Sequence, residues 1–543
     1  MAADTKQDSS DAPLQAPSLT YRIPLRYLAG TREDLPHTDA ATEDGPLLHP
    51  VLVFINPKSG SHIGHSLQHG FERVLGKAQV FVVPHHKPAE VLHRLYQDLT
   101  AARKQGDEQA DHVLQNLRVV AAGGDGTISW VLQAIKIAEF EPPPATSVVP
   151  LGTGNGMSIN LGWGKKADRR LISSDESLIK MVEGVVNAHV RNLDIWDISI
   201  SVGVPDEDIE HLTQHLAHDV PKHMAQEADR KRAIRLSSMA SRNDHAAEID
   251  LGDNEAKPVG MLKGQAPGPW SEQVRKSMRP HGTQKAPILD DKMPSAMQPI
   301  ELQGRMAAAC GGKFTYYLTV GLDAEAAYRF DQMRKQKPHL SKHRLQNIFW
   351  YGYEGCATGW LCGGQRLKPL LPSLKVRKRN GEWQQVELPD SLRALLVLNL
   401  QSYSGSRDVW GLHDDELRPE EAAKGFSKPI FDDGLIEVVG LTSGLKTLAV
   451  LSNLSPRVHG KRIAQAEEVL LTLQSSDDDG ATTHMRIDGE PWQQHLPAAN
   501  SEHGPLKVHI KSAGTARVLI NTQELPGVTA KALKLAKREA DLS

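Results

Sequence analysis

The chain reads as a parallel α/β domain followed by a β-rich domain, and three observations predict it. Between residues 51 and 149, short apolar runs of β-forming types alternate with segments of helical periodicity. Each of three glycine-bearing turns in that region follows one of the predicted strands. After residue 313 the pattern becomes a succession of strand-length segments with few helical stretches. At 543 residues the chain is also too long for one ordinary core, so more than one domain is expected.

The elements can be justified in order. Val51-Leu52-Val53-Phe54-Ile55 is a continuous apolar run closed by Asn56-Pro57, as expected of a buried strand stopped by a turn. A helix is predicted over 64–75, a strand over 79–83 and a helix over 90–103, where Val91, Leu92, Leu95 and Leu99 share a face. Leu117 to Ala122 is another strand. Ile128, Val131, Leu132 and Ile135 then recur at i, i+3, i+4 and i+7, and Ser147 to Val149 is a short strand. Such alternation calls for a parallel sheet covered on both faces, and the first domain is set at 47–165. Residues 166–203 are read as a connection ending in the first strand of the second domain.

Residues 204–312 carry mixed charge, histidines and prolines without sustained periodicity, which predicts a disordered insertion and a place for protein partners. Strand-like segments at 314–322, 392–400, 435–441, 469–473, 485–487, 507–511 and 517–520 define an accessory domain at 313–521. Residues 1–46 read as a polar tail and lead-in, and 522–543 as a tail with a short basic helix.

Composition excludes several classes. Lys+Arg 63 against Asp+Glu 66 gives a net charge of −3, so no whole-molecule field attracts nucleic acid. Three cysteines cannot build a disulfide framework or a four-cysteine zinc module. The first seventeen residues contain Asp4, Asp8 and Asp11 and no apolar block, unlike a secretory signal. No run approaches the ~20 apolar residues of a membrane-spanning helix. The expectation is a cytoplasmic protein that meets membranes only at their surface.

The glycine turns carry the chemistry. They are Asn56-Pro57-Lys58-Ser59-Gly60, Gly123-Gly124-Asp125-Gly126-Thr127 and Gly152-Thr153-Gly154-Asn155-Gly156. Glycine at a strand-to-helix junction lets backbone N–H groups face a cleft, and the next helix turns its positive end there. In a parallel sheet all carboxyl ends of strands share one edge, so three such turns can converge on one nucleotide. None has Walker A or Rossmann spacing. Asp125 among phosphate-facing amides makes sense with Mg²⁺ between them, and it also suits a helix N-cap. Asp488 and Glu490 flank Gly489, so an extended segment would turn both carboxylates to one side.

These turns resemble the nucleotide-binding signature of the diacylglycerol kinases. Leu161-Gly162-Trp163-Gly164-Lys165-Lys166 resembles more specifically the plant and algal members that lack cysteine-rich lipid-binding modules. The likeness continues through Val320-Gly321-Leu322-Asp323-Ala324, Leu398-Asn399-Leu400-Gln401-Ser402-Tyr403-Ser404-Gly405, Asp432-Asp433-Gly434-Leu435 and Met485-Arg486-Ile487-Asp488-Gly489-Glu490-Pro491-Trp492. It implies ATP-dependent phosphorylation of diacylglycerol to phosphatidic acid with Mg²⁺. The implied fold is an α/β domain like that of NAD kinase and phosphofructokinase, joined to a β-rich domain with the active site in the cleft between them. By the same resemblance Asn56, Lys58, Ser59, Gly60, Gly123 to Thr127 and Gly152 to Asn155 hold the nucleotide. Asp125, Asp488 and Glu490 become the catalytic acids, and Asp125, Asp432, Asp433 and Glu490 the metal-facing ones. Asp488 is the expected general base, with Asp125 its rival. One departure stands out: the acid that many members carry directly after Gly-Thr-Gly-Asn is Gly156 here. Two rival functions stay open at this point, a sphingoid-base or other lipid kinase and a non-catalytic lipid-sensing scaffold.

Overall fold

A computed structural model describes residues 21–31, 49–60, 63–137, 140–152, 154–206, 208–209, 212, 297–300, 308–341, 344–358, 364–400, 402–403, 407–411, 425–442, 459–478, 480–523 and 537. A short helix α1 (Leu25–Leu28) precedes β1 (Val51–Ile55), α2 (Ile63–Leu75), β2 (Val80–Val82), α3 (Pro88–Lys104) and α4 (Glu108–Asn116). Then come β3 (Arg118–Gly123), α5 (Asp125–Ile137), β4 (Ala145–Pro150), α6 (Gly156–Asn160), α7 (Arg170–Ser173) and α8 (Asp175–Val186). Strands β1 to β4 pair in parallel in the order β4-β3-β1-β2, and every residue of β1 is buried. Helix α4 shows how locally the sequence acts: Asp107 caps it by accepting from the N–H groups of Gln109 and Ala110.

The second lobe begins inside a strand. β5 (His189–Val202) pairs with β19 (Leu506–Ile520) along almost its whole length. Its Leu193 and Ile195 lie in the core of the first lobe, whereas Trp196, Ile198 and Ile200 lie in the core of the second. β19 makes the same passage in reverse, with Leu506, Val508 and Ile510 in the second core and Val518 to Ile520 in the first. A register shift between Ser512 and Thr515 marks the crossing. Two long antiparallel strands therefore bind the lobes into one sheet, and β19 joins it to the parallel strands by pairing with β4.

Between them lie β6 (Met297–Ile300), β7 (Ala308–Phe314), β8 (Tyr317–Gly321), α9 (Leu322–Gln336), α10 (Arg344–Ala357), β9 (Ser373–Arg377), β10 (Trp383–Gln385), β11 (Ala394–Leu398), β12 (Ser402–Tyr403) and β13 (Arg407–Asp408). They are followed by β14 (Ile436–Leu441), β15 (Lys461–Ala466), β16 (Glu468–Leu473), β17 (Ala481–Ile487) and β18 (Glu490–Leu496). A second sheet runs β15-β14-β11-β8-β17-β18, antiparallel throughout.

Two expectations are corrected. Residues 21–31 are not all tail: Ile23, Tyr27 and Leu28 are buried in the first core, and Gln79 ties the segment down. Its Oε1 accepts from the N–H of Ile23 at 2.8 Å, while its amide donates to the carbonyls of Tyr21 and Val51. The expected insertion at 204–312 is folded at both ends. Val204, Ile209 and Leu212 pack with Ile300, Ala309 and Leu470, and β6 and β7 pair across Met297–Ile300. The second domain also contains two substantial helices, α9 and α10, which its strand-rich pattern had hidden. The middle of that insertion and nearly all of the basic C-terminal segment lie outside the described residues.

Candidate active site

The three glycine turns meet at the carboxyl edge of the parallel strands. The Asn56 N–H donates to the carbonyl of Ala122 at 2.9 Å, and the Leu151 N–H to that of Gly123 at 2.8 Å. A Cβ placed on Gly152 would lie 2.6 Å from the Cα of Gly124, and one on Gly60 would lie 3.1 Å from the Leu151 carbonyl oxygen. Only residues without side chains allow these backbones so close. Lys58 is exposed, and Asn56 Oδ1 accepts from its N–H at 3.1 Å, closing the first turn. Asn155 has φ 54° and is buried. Its amide donates to the carbonyls of Gly152 and Lys165, while its Oδ1 meets no donor among the described residues. Thr153 lies outside the described residues.

Asp125 opens α5 but does not cap it. Its carboxylate reaches across to α6, where Oδ2 accepts from the N–H of Gly156 at 3.2 Å and Oδ1 from that of Met157 at 3.1 Å. One lone pair on each oxygen is left for another partner. Burial raises its pKa; the two amides pull it down, Asp488 raises it further and Arg486 lowers it.

Asp488 is held differently, and here the sequence expectation fails. Asp488 and Gly489, at φ 45° and 100°, form the two-residue turn of the β17–β18 hairpin, in which Ile487 pairs with Glu490. The segment is not extended, so the two acids part: Asp488 is buried and Glu490 is exposed. Oδ1 of Asp488 accepts from the N–H groups of Tyr316 and Tyr317 at 2.9 and 3.0 Å. Oδ2 accepts from the Thr315 N–H at 2.9 Å, from its hydroxyl at 3.2 Å and from the Ser129 hydroxyl on α5. Burial pushes this carboxyl upward against the pull of Ser129 and the three amides. Its lone pairs are fully used, and they fasten the β7–β8 turn to α5.

The sequence reading overlooked several residues. Tyr316 fills the place of a side chain at 156: a Cβ on Gly156 would lie 1.7 Å from its hydroxyl oxygen. Arg486 lies over the ring of Tyr317 at 5.3 Å and donates to the Tyr351 hydroxyl at 3.5 Å, while its buried Nε finds no partner among the described residues. Asp323 accepts from the hydroxyls of Tyr403 and Tyr351. Asn399 accepts from the Trp196 indole and donates to the carbonyls of Asp194 and Thr315, steadying the β7–β8 turn that donates to Asp488. Arg486 and Asp323 stood inside the quoted motifs, but only packing reveals what they face.

Asp432 and Asp433 belong to another group. The Arg191 guanidinium grips Asp432 through three contacts of 2.8 to 3.2 Å. Asp433 Oδ1 accepts from the Leu435 N–H at 3.0 Å. Beside them Asp194, another overlooked acid, accepts from the Gly434 N–H at 2.8 Å, and burial lifts its pKa to about 7. Among the described residues no three His, Cys, Asp or Glu side chains gather to hold a metal ion. Asp125 keeps lone pairs open on both oxygens, whereas those of Asp488 are filled and Asp432 is held by Arg191.

An α/β lobe that gathers glycine turns at one sheet edge, with an acid among them and a β lobe fastened over it, has the architecture of a two-domain kinase. Residues 50–196 match the diacylglycerol kinase catalytic domain, and residues 313–491 match the diacylglycerol kinase accessory domain. Diacylglycerol kinase 1 of Oryza sativa subsp. japonica is 30% identical over 457 residues, covering 82% of this chain and 75% of the relative. Diacylglycerol kinase 5 of Arabidopsis thaliana is 31% identical over 458 residues, covering 82% and 73%. Among solved structures, a diacylglycerol kinase from Bacillus anthracis str. Sterne superposes with a TM-score of 0.38 at 11% identity, covering 87% of this chain and 96% of that one. The chain belongs to the diacylglycerol kinase family.

Proposed function

We propose that this protein transfers the γ-phosphoryl group of ATP to the free hydroxyl of diacylglycerol, giving phosphatidic acid. The observation that carries the reading is the meeting of three glycine turns around Asp125, under a turn from the second lobe, in a chain of this family. The backbone amides of the turns cradle the triphosphate, and Mg²⁺ accompanying it supplies charge neutralisation, with Asp125 as the carboxylate that would meet it. Burial raises the pKa of both acids, and Asp125 suits the proton of the incoming hydroxyl better because only its oxygens keep lone pairs open. Asp488 acts as a positioning residue that fixes the second lobe over the first. Arg486, in no described salt bridge and electrostatically coupled to both Asp323 and Asp125, neutralises charge on the transferred group. Glu490, Asp432 and Asp433 take no part in this scheme.

The enzyme works on a lipid that resides in a bilayer, and no described helix is long and apolar enough to cross one. Reversible docking on a membrane surface follows. A panel of acceptors with γ-labelled ATP tests the reading. Diacylglycerol should give labelled phosphatidic acid, while a sphingoid base and ceramide stay unlabelled. Label appearing in the sphingoid base instead, or in no lipid at all, overturns it.

A further inference from the structure

Among the described residues the two most exposed large hydrophobic side chains are Phe349 at 66% and Tyr353 at 54%. They lie on one helix, α10, four positions apart and so on one face. Trp350 bridges them, with its ring 5.5 Å from each. Tyr351 points to the other side, where it packs on Phe330 of α9 at 5.8 Å and donates to Asp323. The helix thus has its inner side rooted in the candidate active site and an aromatic cluster on its outer side.

The link from α9 to α10 is basic. Residues 334–344 contain Arg334, Lys335, Lys337, Lys342 and Arg344 and no acid. Arg334 to His339 are all exposed, and the acid facing this stretch, Asp331, pairs with Arg334 and Lys335 and leaves Lys337 unbalanced. Rings with an apolar body and a polar edge, on a helix reached through a stretch of sequence rich in Lys and Arg, match the two layers of an anionic membrane surface: acyl boundary and headgroup charge. A water-facing helix gains nothing from three grouped aromatics.

We infer that the α9–α10 hairpin is the membrane-docking surface, inserting Phe349, Trp350 and Tyr353 at the headgroup boundary while its basic link contacts anionic lipid. This rests on the diacylglycerol kinase reading for its substrate. Docking there would bring the Asp323–Tyr351 side of the hairpin, and with it the cleft, to where diacylglycerol lies. The source of negative charge is the bilayer headgroup, and phosphatidic acid made by the reaction would add to it.

The test uses the full chain and sedimentation with vesicles of phosphatidylcholine, with or without phosphatidylserine. Phe349→Ser with Tyr353→Ser should weaken binding to both kinds about tenfold or more. Lys337→Glu with His339→Glu should cut only the gain from phosphatidylserine, about fivefold. Both variants should keep the parent's melting temperature and its turnover on a short-chain diacylglycerol below its micelle concentration. Unchanged vesicle binding by both variants overturns the inference. So does a parent that ignores vesicles, or one that light scattering shows to be a dimer split by the aromatic changes, since the patch would then cover a second copy. Sedimentation requires no turnover, so a parent that binds vesicles but phosphorylates no diacylglycerol would refute the catalytic reading separately.

Discussion

Two Asp-Gly turns, one from each lobe, face each other across this protein, and their carboxylates have opposite fates. Asp125-Gly126 begins a helix, accepts two amide protons and keeps room on both oxygens. Asp488-Gly489 turns a hairpin and is surrounded by five donors. The dipeptide is the same, and what differs is how many protein groups each acid already serves. A carboxylate with spare lone pairs can meet a metal or a proton. A saturated one can only hold its surroundings in place.

The largest effect should come from Asp125. Asp125→Ala should lower kcat by a thousandfold or more, roughly 4 kcal/mol of barrier, with a smaller loss of stability than at Asp488, since only two amides lose their acceptor. Loss of folding instead would make this acid a second staple and erase the distinction. Asp488→Ala is expected to cost about 3 to 5 kcal/mol of stability in denaturant titration, because three backbone amides and two hydroxyls lose their acceptor. Near-normal stability with abolished turnover would return Asp488 to the reaction itself. Arg486→Gln should slow turnover about a hundredfold, roughly 3 kcal/mol, while ATP affinity and melting temperature barely move. A melting temperature that falls with unchanged kcat would make Arg486 a counter-charge for Asp323.

The smallest effect concerns the third acidic group, which lies away from both turns. Burial, followed by its neighbours Asp433 and Asp432, raises the Asp194 pKa to about 7, with the Gly434 amide opposing. The folded form therefore holds a proton that the unfolded form releases above about pH 4. Stability from this group falls as pH climbs from about 4 to 7. Asp194→Asn should remove that fall, leaving the variant more stable than the parent at pH 8 and equal to it at pH 4. A constant difference across that range would disprove the shift.

Much of the first lobe was legible because local rules govern it. The apolar run at 51–55 and the i, i+3, i+4, i+7 spacing of α5 are periodicities that packing leaves intact. The convergence of the three turns followed from parallel topology alone. The hairpin at Asp488-Gly489 had a local signal too, since Asp-Gly between strands favours a turn with both φ values positive. Reading that segment as extended overlooked it and wrongly put Glu490 beside Asp488. The pairings of Asp432 with Arg191 and of Tyr316 with Gly156 were beyond sequence reasoning, because they join positions 241 and 160 residues apart. The same holds for β19, whose partner β5 is separated from it by most of the second lobe.

Gly156 and Tyr316 deserve to be treated as a single two-part lock. The phenol occupies the only volume into which any side chain at 156 could extend. Restoring an acid there by one substitution would drive it into the ring, and shortening Tyr316 alone would open a gap beside Asp125. A side chain at 156 therefore requires a change at 316 as well, and the two positions can only be exchanged together.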